Sequence, residues 1–236
     1  AWAKGAVTGL RARGGFEAHD GGVVAVALGK DALFTAGARG VVRAWSRGGL
    51  GASARAASPV TAIASRGDLV VAGDQAGRVR VLQGAAEVAT IAIGDPATAV
   101  HVTRAEGIVA CTSRVIVHAP KPWSKPRPVA LRAAASAFAA DDAYAFVGTE
   151  RGVVDVYDLE SSEHVTSYEL SDGAVSALVR LPGTLLVVGT GALDGRVFVV
   201  DVAAAKVKHR IEAHEEAFGV TSLAADPRGR IVASGS

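Results

Sequence analysis

The sequence predicts an all-β protein built from a four-stranded unit repeated along the chain, and three observations predict it. Apolar runs are short, about 4–7 residues, and Gly, Asp, Ser or Pro interrupts them roughly every 8–12 residues, the spacing of antiparallel strands joined by tight turns. Leu185 to Asp201, LLVVGTGALDGRVFVVD, reads as one hairpin, with Asp194-Gly195 in a turn whose backbone angles glycine adopts without steric cost. Degraded copies of that hairpin recur at a period of roughly 40 residues, the length of a four-stranded repeat.

Aligned on the turn glycine, the copies are TAGARG (Thr35–Gly40), AGDQAG (Ala72–Gly77), VGTERG (Val147–Gly152) and TGALDG (Thr190–Gly195). Each glycine is followed by an apolar strand: VVRAW, RVRVL, VVDVYD and RVFVVD. The chain stops inside the same motif, at Ser234–Ser236. A lead-in segment precedes the hairpins, as in EAHDGGVVAV (Glu17–Val26), ELSDGAVSAL (Glu169–Leu178) and EAHEEAFGVTSL (Glu212–Leu223). The third strand of each unit ends at Trp2, Trp45, Leu82, about His118, Tyr157 and Val200.

Phe16 to Ser46, FEAHDGGVVAVALGKDALFTAGARGVVRAWS, resembles a WD40 repeat, with His19 in the lead-in and Trp45 at the end of the third strand. The likeness covers nearly the whole chain and is weakest at GIVACTSRVIVHA (Gly107–Ala119), which lacks the turn glycine. It implies a WD40-like β-propeller of four-stranded blades, six or seven in number, forming a single domain over 1–236. Five full repeats span about 3–201 between partial repeats at both ends. With the ends falling mid-blade and no Met in the sequence, the chain is expected to belong to a longer one.

Two segments test that register. VALRAAASAFAA (Val129–Ala140) has high intrinsic helix propensity, but the repeat makes it a fourth strand followed by the next first strand. APKPWSKPRP (Ala119–Pro128) is barred from a central strand by its prolines, and an extended, exposed connection of polyproline type is expected there.

Composition narrows the function classes. The chain has 236 residues, 50% hydrophobic and 20% charged, with net charge +2, a balance that argues against nucleic acid. A chain of this length buries about 70% or more of its surface and needs no staples. No apolar run reaches the roughly 20 residues that span a bilayer, so membrane insertion is not expected, and the N-terminus lacks a signal-peptide core. The single Cys allows no internal disulfide and is compatible with a reducing, intracellular and cytoplasmic setting.

Candidate chemistry is sparse. Of the 6 histidines only His209 and His214 are close in sequence, without the flanking ligands of a metal site. GTGALDG (Gly189–Gly195) has neither the spacing nor the following helix of a dinucleotide loop. Asp141-Asp142 reads as a polar turn, Cys111 as a small buried hydrophobe, and no nucleophile signature is present. The first-strand segments offer small apolar residues and His101, a poor lining for a channel that would hold a metal or cofactor. No cofactor, metal or catalytic residue is therefore expected.

The family resemblance implies an internal hydrogen-bond network that links a lead-in His, a second-strand Ser or Thr, a turn Asp and the third-strand Trp. His19, Thr35 and Trp45 match in the first repeat, Thr190 and Asp194 in the fifth, and His214 and Ser234 in the last. Each repeat is incomplete, so looser ties within blades are expected. The lead-in loops and hairpin turns open on one face in that family. There the chain would present Arg39 and Arg151 at the turn-Asp position, with Asp20, Asp172, Glu215 and Glu216 nearby. Arg suits interface recognition through bidentate pairing and stacking. Trp123 is a second candidate anchor. The incomplete edge could pair with another strand. The expectation is a non-catalytic protein–protein interaction scaffold in a multi-protein assembly, reached from fold by analogy. The competing reading is a propeller enzyme or cofactor-binding domain using the central channel.

Overall fold

The Val-rich runs form strands because β-branched side chains pack well on a pleated surface. The structure is a computed structural model that describes residues 17–46, 49–84, 86–214, 219–226 and 228–236. Trp2, Glu215 and Glu216 lie outside those residues. Among the described residues there are twenty-two strands and no helix. They form five four-stranded sheets and one two-stranded sheet, each following chain order.

The first sheet comprises β1 (Val23–Leu28), β2 (Leu33–Gly37), β3 (Val41–Ser46) and β4 (Gly49–Arg55), and the second β5 (Val60–Arg66), β6 (Leu69–Asp74), β7 (Arg78–Gln83) and β8 (Ala86–Ala92). The third holds β9 (Ala99–Val102), β10 (Ile108–Cys111), β11 (Val115–Ala119) and β12 (Arg127–Ala130). The fourth holds β13 (Ala135–Ala140), β14 (Tyr144–Thr149), β15 (Val153–Asp158) and β16 (His164–Glu169). The fifth holds β17 (Val175–Arg180), β18 (Leu185–Thr190), β19 (Arg196–Asp201) and β20 (Lys206–Glu212). β21 (Ser222–Ala225) and β22 (Val232–Gly235) form the last sheet. The repeat register is the observed one: Trp45, Leu82, His118, Tyr157 and Val200 all lie on third strands.

Second strands are largely apolar because both of their faces are covered. Every residue of β6 and β10 is buried, whereas β20 is exposed along nearly all its length. Phe34 and Val42 pack with Val60, Val70 and Leu82, joining the first two sheets. Val71 and Val81 pack with Ile108 and Val117, joining the second and third. Val187 and Val199 pack with Val220 and Val232 between the fifth sheet and the last.

A first-strand hydroxyl reinforces this packing. Thr61 Oγ1 lies 3.2 Å from the Gly73 carbonyl of its own sheet and 2.6 Å from the Ala97 carbonyl leading into the next. Ser176 repeats the arrangement, 3.2 Å from the Gly189 carbonyl and within reach of the Val220 carbonyl.

Residues 129–140 form β12, a turn and β13. Val129 and Ala140 are buried in one apolar cluster, and that packing overrides alanine's helix propensity. Residues 119–128 depart from the extended connection expected of them. Trp123 N donates to the Pro120 carbonyl at 2.7 Å, closing a tight turn, and β12 begins at Arg127 with Pro128 on an outer edge strand. Trp123 itself is not an exposed arm residue. Its ring packs on the core of the second and third sheets, and its Nε1 donates to the Glu106 carbonyl at 2.7 Å. An indole N–H with a backbone acceptor in reach and apolar carbon on one side gains more by folding back than by standing in water.

The Cα framework divides into two compact units. One comprises Ala18–Val147 with Asp155–Thr166, the other Gly148–Val154 with Ser167–Ser236.

Candidate partner-binding loops

The site is built from lead-in loops and second-to-third-strand hairpins. In the first sheet Thr35 is the hub. Its hydroxyl lies 2.8 Å from His19 Nε2 and accepts from Trp45 Nε1 at 2.8 Å. His19 is 7% exposed, and burial lowers its pKa below the usual imidazole value. Arg43 Nη1 donates to the Ala18 carbonyl and holds the lead-in loop from the third strand. The chemistry is structural: one hydroxyl meets two ring nitrogens at once.

In the fifth sheet the hub is a carboxylate. Asp194 accepts from Ser171 Oγ at 2.6 Å and from the Thr190 hydroxyl, with Arg196 Nη1 3.5 Å away. Ser171 thus ties the lead-in loop to the hairpin without an imidazole. In the last sheet His214 Nε2 lies 3.0 Å from Ser234 Oγ.

Register separates two residues that counting back from the turn glycine places together. Val23 pairs with Gly37, and Val175 with Thr190, so Thr190 occupies the place of Gly37 rather than that of Thr35. The fifth hairpin is longer, running Gly191 to Gly195 where the first runs Ala38 to Gly40, and equal spacing from the glycine conceals the offset.

Other hairpins are tied by residues that the motif comparison missed. Asp74 is fully buried, and its Oδ1 accepts the backbone N–H of Ala76 at 2.9 Å and of Arg78 at 3.0 Å. The Thr112 hydroxyl accepts from Val115 N at 2.9 Å, and that of Thr149 from Val153 N at 3.3 Å. All three precede their turns at the strand end. Asp and Thr there cap the turn's N–H groups, a local signal that scoring against the turn glycine does not register.

Above these ties stand the charged residues. Arg39 and Asp20 are both exposed, and Arg39 Nε would lie 3.6 Å from a Cβ at Gly21, so its guanidinium rests over the lead-in loop. The third sheet repeats the pair as Arg114 and Asp95, 3.5 Å apart. Without a turn glycine that repeat gave sequence comparison no anchor.

Arg151 and Asp172 are exposed and line one cleft of about 920 Å³. A Cβ at Gly152 would sit 1.8 Å from the Ser171 carbonyl, so the fourth hairpin, which carries Arg151, lies directly on the fifth lead-in loop. Leu193, 79% exposed at the tip of the long hairpin, stands at the same cleft beside Gly173. Asp194, Arg196, Arg210 and His214 complete that wall, and Arg210 lies over the Phe198 ring at 5.0 Å. The cleft therefore brings together Arg151, Asp172, Asp194 and His214. Trp123 lines a separate cleft of about 340 Å³ with Arg66, Arg104 and Lys121.

Among the described residues no three His, Cys, Asp or Glu side chains are placed to hold a metal ion, and no helix is long and apolar enough to cross a membrane. Cys111 is fully buried, and burial raises its thiol to about 12, which leaves it no thiolate at neutral pH. Asp141 accepts from the N–H groups of Ala143 and Tyr144 at 2.9 and 2.8 Å, and Asp142 binds Arg104.

Residues 205–236 match the family model described as WD domain, G-beta repeat. No curated protein matches the chain in sequence. Among solved structures, a chain of the crystal structure of the Mitotic Checkpoint Complex superposes with a TM-score of 0.80 at 14% identity, over 91% of this chain and 74% of that one. The computationally designed Ika8 protein superposes with a TM-score of 0.78 at 22% identity, over 91% of this chain and 68% of that one.

Proposed function

We infer that this chain, a WD40-type β-propeller, is a non-catalytic scaffold that binds other proteins within a multi-protein assembly. The observation that carries the reading is the cleft at Arg151. Three arginines share it with four carboxylates, Glu169, Asp172, Asp194 and Glu212, and with the exposed Leu193. A phosphate backbone would be repelled by so many acids. A protein surface, which offers apolar side chains and charges of both signs, suits it. The structural neighbour in a checkpoint complex supports a role in assembly. The reading also takes 1–236 as one propeller domain and places the chain inside the cell, in the cytoplasm, where a lone thiol stays reduced.

Arg39, Arg151, Asp20 and Asp172 are the contact residues of this reading, with Leu193 as the apolar centre of the second group. Proteins retained by the wild-type chain in affinity capture and lost by Arg151→Glu with Leu193→Ser, at unchanged melting temperature, would support it. Identical sets of retained proteins from both baits would overturn it. Trp123 is a weaker anchor because folding already occupies its N–H.

A further inference from the structure

Two side chains of the third sheet grip consecutive carbonyls of the β15–β16 hairpin. His118 Nδ1 lies 2.9 Å from the Leu159 carbonyl, and Arg127 Nη1 donates to the Glu160 carbonyl at 2.9 Å. Leu159 is 2% exposed and packs in one apolar cluster with Val109, Ile116 and Val129 of the third sheet. The hairpin also holds its own shape. Asp158 Oδ1 accepts from Glu160 N and Ser161 N at 2.9 and 2.7 Å, and Asp158 N donates to the Glu163 carbonyl at 2.9 Å. It therefore docks as a preformed unit.

The charge of His118 acts on the grip through Arg127, since either form of the ring with hydrogen on Nδ1 can donate to the Leu159 carbonyl. To bind a carbonyl, Nδ1 must carry its hydrogen. Arg127 Nη2 lies 3.1 Å from that same nitrogen and is also a donor, so the two meet without a hydrogen bond. A neutral imidazole tolerates the contact, whereas an imidazolium would set two positive charges side by side. Little else offsets that charge. Nε2 faces Gly107, whose N–H is taken by the Thr103 hydroxyl at 2.9 Å, and β10 presents Val109 opposite His118. On the hairpin itself, the Asp158 carboxylate is committed to the N–H groups of Glu160 and Ser161. His164 on β16 faces Asp155 at 3.4 Å and the Arg132 guanidinium at 3.3 Å, and neither of these groups touches His118. Burial lowers the pKa of His118, the Leu159 carbonyl raises it, and Arg127 lowers it again.

We propose that His118 and Arg127, with the Leu159 and Glu160 carbonyls, form a proton-operated clasp, closed at neutral pH and opened when His118 is protonated. Opening frees the β15–β16 hairpin and uncovers Leu159, an apolar contact absent from the surface at neutral pH. This inference is independent of the partner-binding reading.

Hydrogen exchange of the whole chain, corrected for intrinsic rates and compared at about pH 7.5 and 5.5 on either side of the imidazole range, tests it. The expected result is a loss of protection of about tenfold or more in 158–164 at the lower pH, with β18 and β19 changing less. His118→Gln removes the titrating group and should abolish that extra loss. Arg127→Met, which keeps the imidazole and removes the repulsion, should reduce it. Protection at 158–164 that is unchanged at the lower pH, or an acid-induced loss that persists in His118→Gln, would overturn the clasp.

Discussion

Thr35 shows how much one hydroxyl can hold. It is 3% exposed and meets both His19 and Trp45. Thr35→Val keeps the shape and removes a hydrogen-bond partner of both His19 and Trp45, at a cost of about 1–3 kcal/mol. Urea denaturation should show a lowered midpoint with an unchanged slope. A midpoint equal to wild type would mean that water reaches both rings. The family resemblance implied this trio, in a repeat that keeps the short hairpin. At Thr190 a longer hairpin shifts the register while the hydroxyl still reaches Asp194, and Asp74, whose side-chain bonds are all local to its own turn, carries no signal at the turn glycine. Side chains such as Ser171 and Asp74 supply ties that the incomplete motif left unassigned.

At the scale of elements, hydroxyl staples and glycine contacts fix how one sheet meets the next. Thr61→Val should destabilise by about 1 kcal/mol, since the Ala97 and Gly73 carbonyls lose a shared donor. Gly152→Ala should be costlier. The residue sits at φ +71°, where an L-residue loses about 1–2 kcal/mol, and its new Cβ would overlap the Ser171 carbonyl. Thermal melts of the two variants should rank them in that order, and the reverse order would contradict the geometry. The strands themselves were readable from alternating apolar runs and turn residues. The Pro-rich connection was not. Composition favoured an extended arm, while the fold of 119–128 is decided by a remote acceptor, the Glu106 carbonyl, and by core packing around Trp123. That acceptor lies 17 residues from Trp123 in sequence.

Over the whole molecule, one buried histidine, His19, and two half-buried ones, His101 and His118, set the response to acid. Burial is the first cause of the lowered pKa values of His19, His101 and His118. Their neutral forms are favoured in the folded state, so the unfolded chain takes up protons first. Stability is complete above the ordinary imidazole value near 6.5 and falls as pH drops through the lowered folded values. Asp201, held at about 2 chiefly by Lys208 at 2.7 Å, keeps its contribution until far lower pH. Denaturation midpoints measured from about pH 8 to 4 should therefore decline first across the histidine range, before the carboxylate range. A flat profile down to the carboxylate range would contradict the burial of these rings.

The four-stranded repeat was legible in sequence because it recurs at a nearly fixed spacing. The cleft at Arg151 was legible only as separate residues, since it takes the docking of one hairpin on the next lead-in loop to join them. Whether these loops bind a protein is decided by calorimetric affinity for a captured partner, with wild type and the double variant Arg39→Ala, Arg151→Ala measured beside their melting curves. The predicted result is an affinity weakened by about tenfold or more, near 1.4 kcal/mol, at an unchanged melting temperature. A melting temperature that falls while affinity survives would contradict the assignment of these arginines to binding.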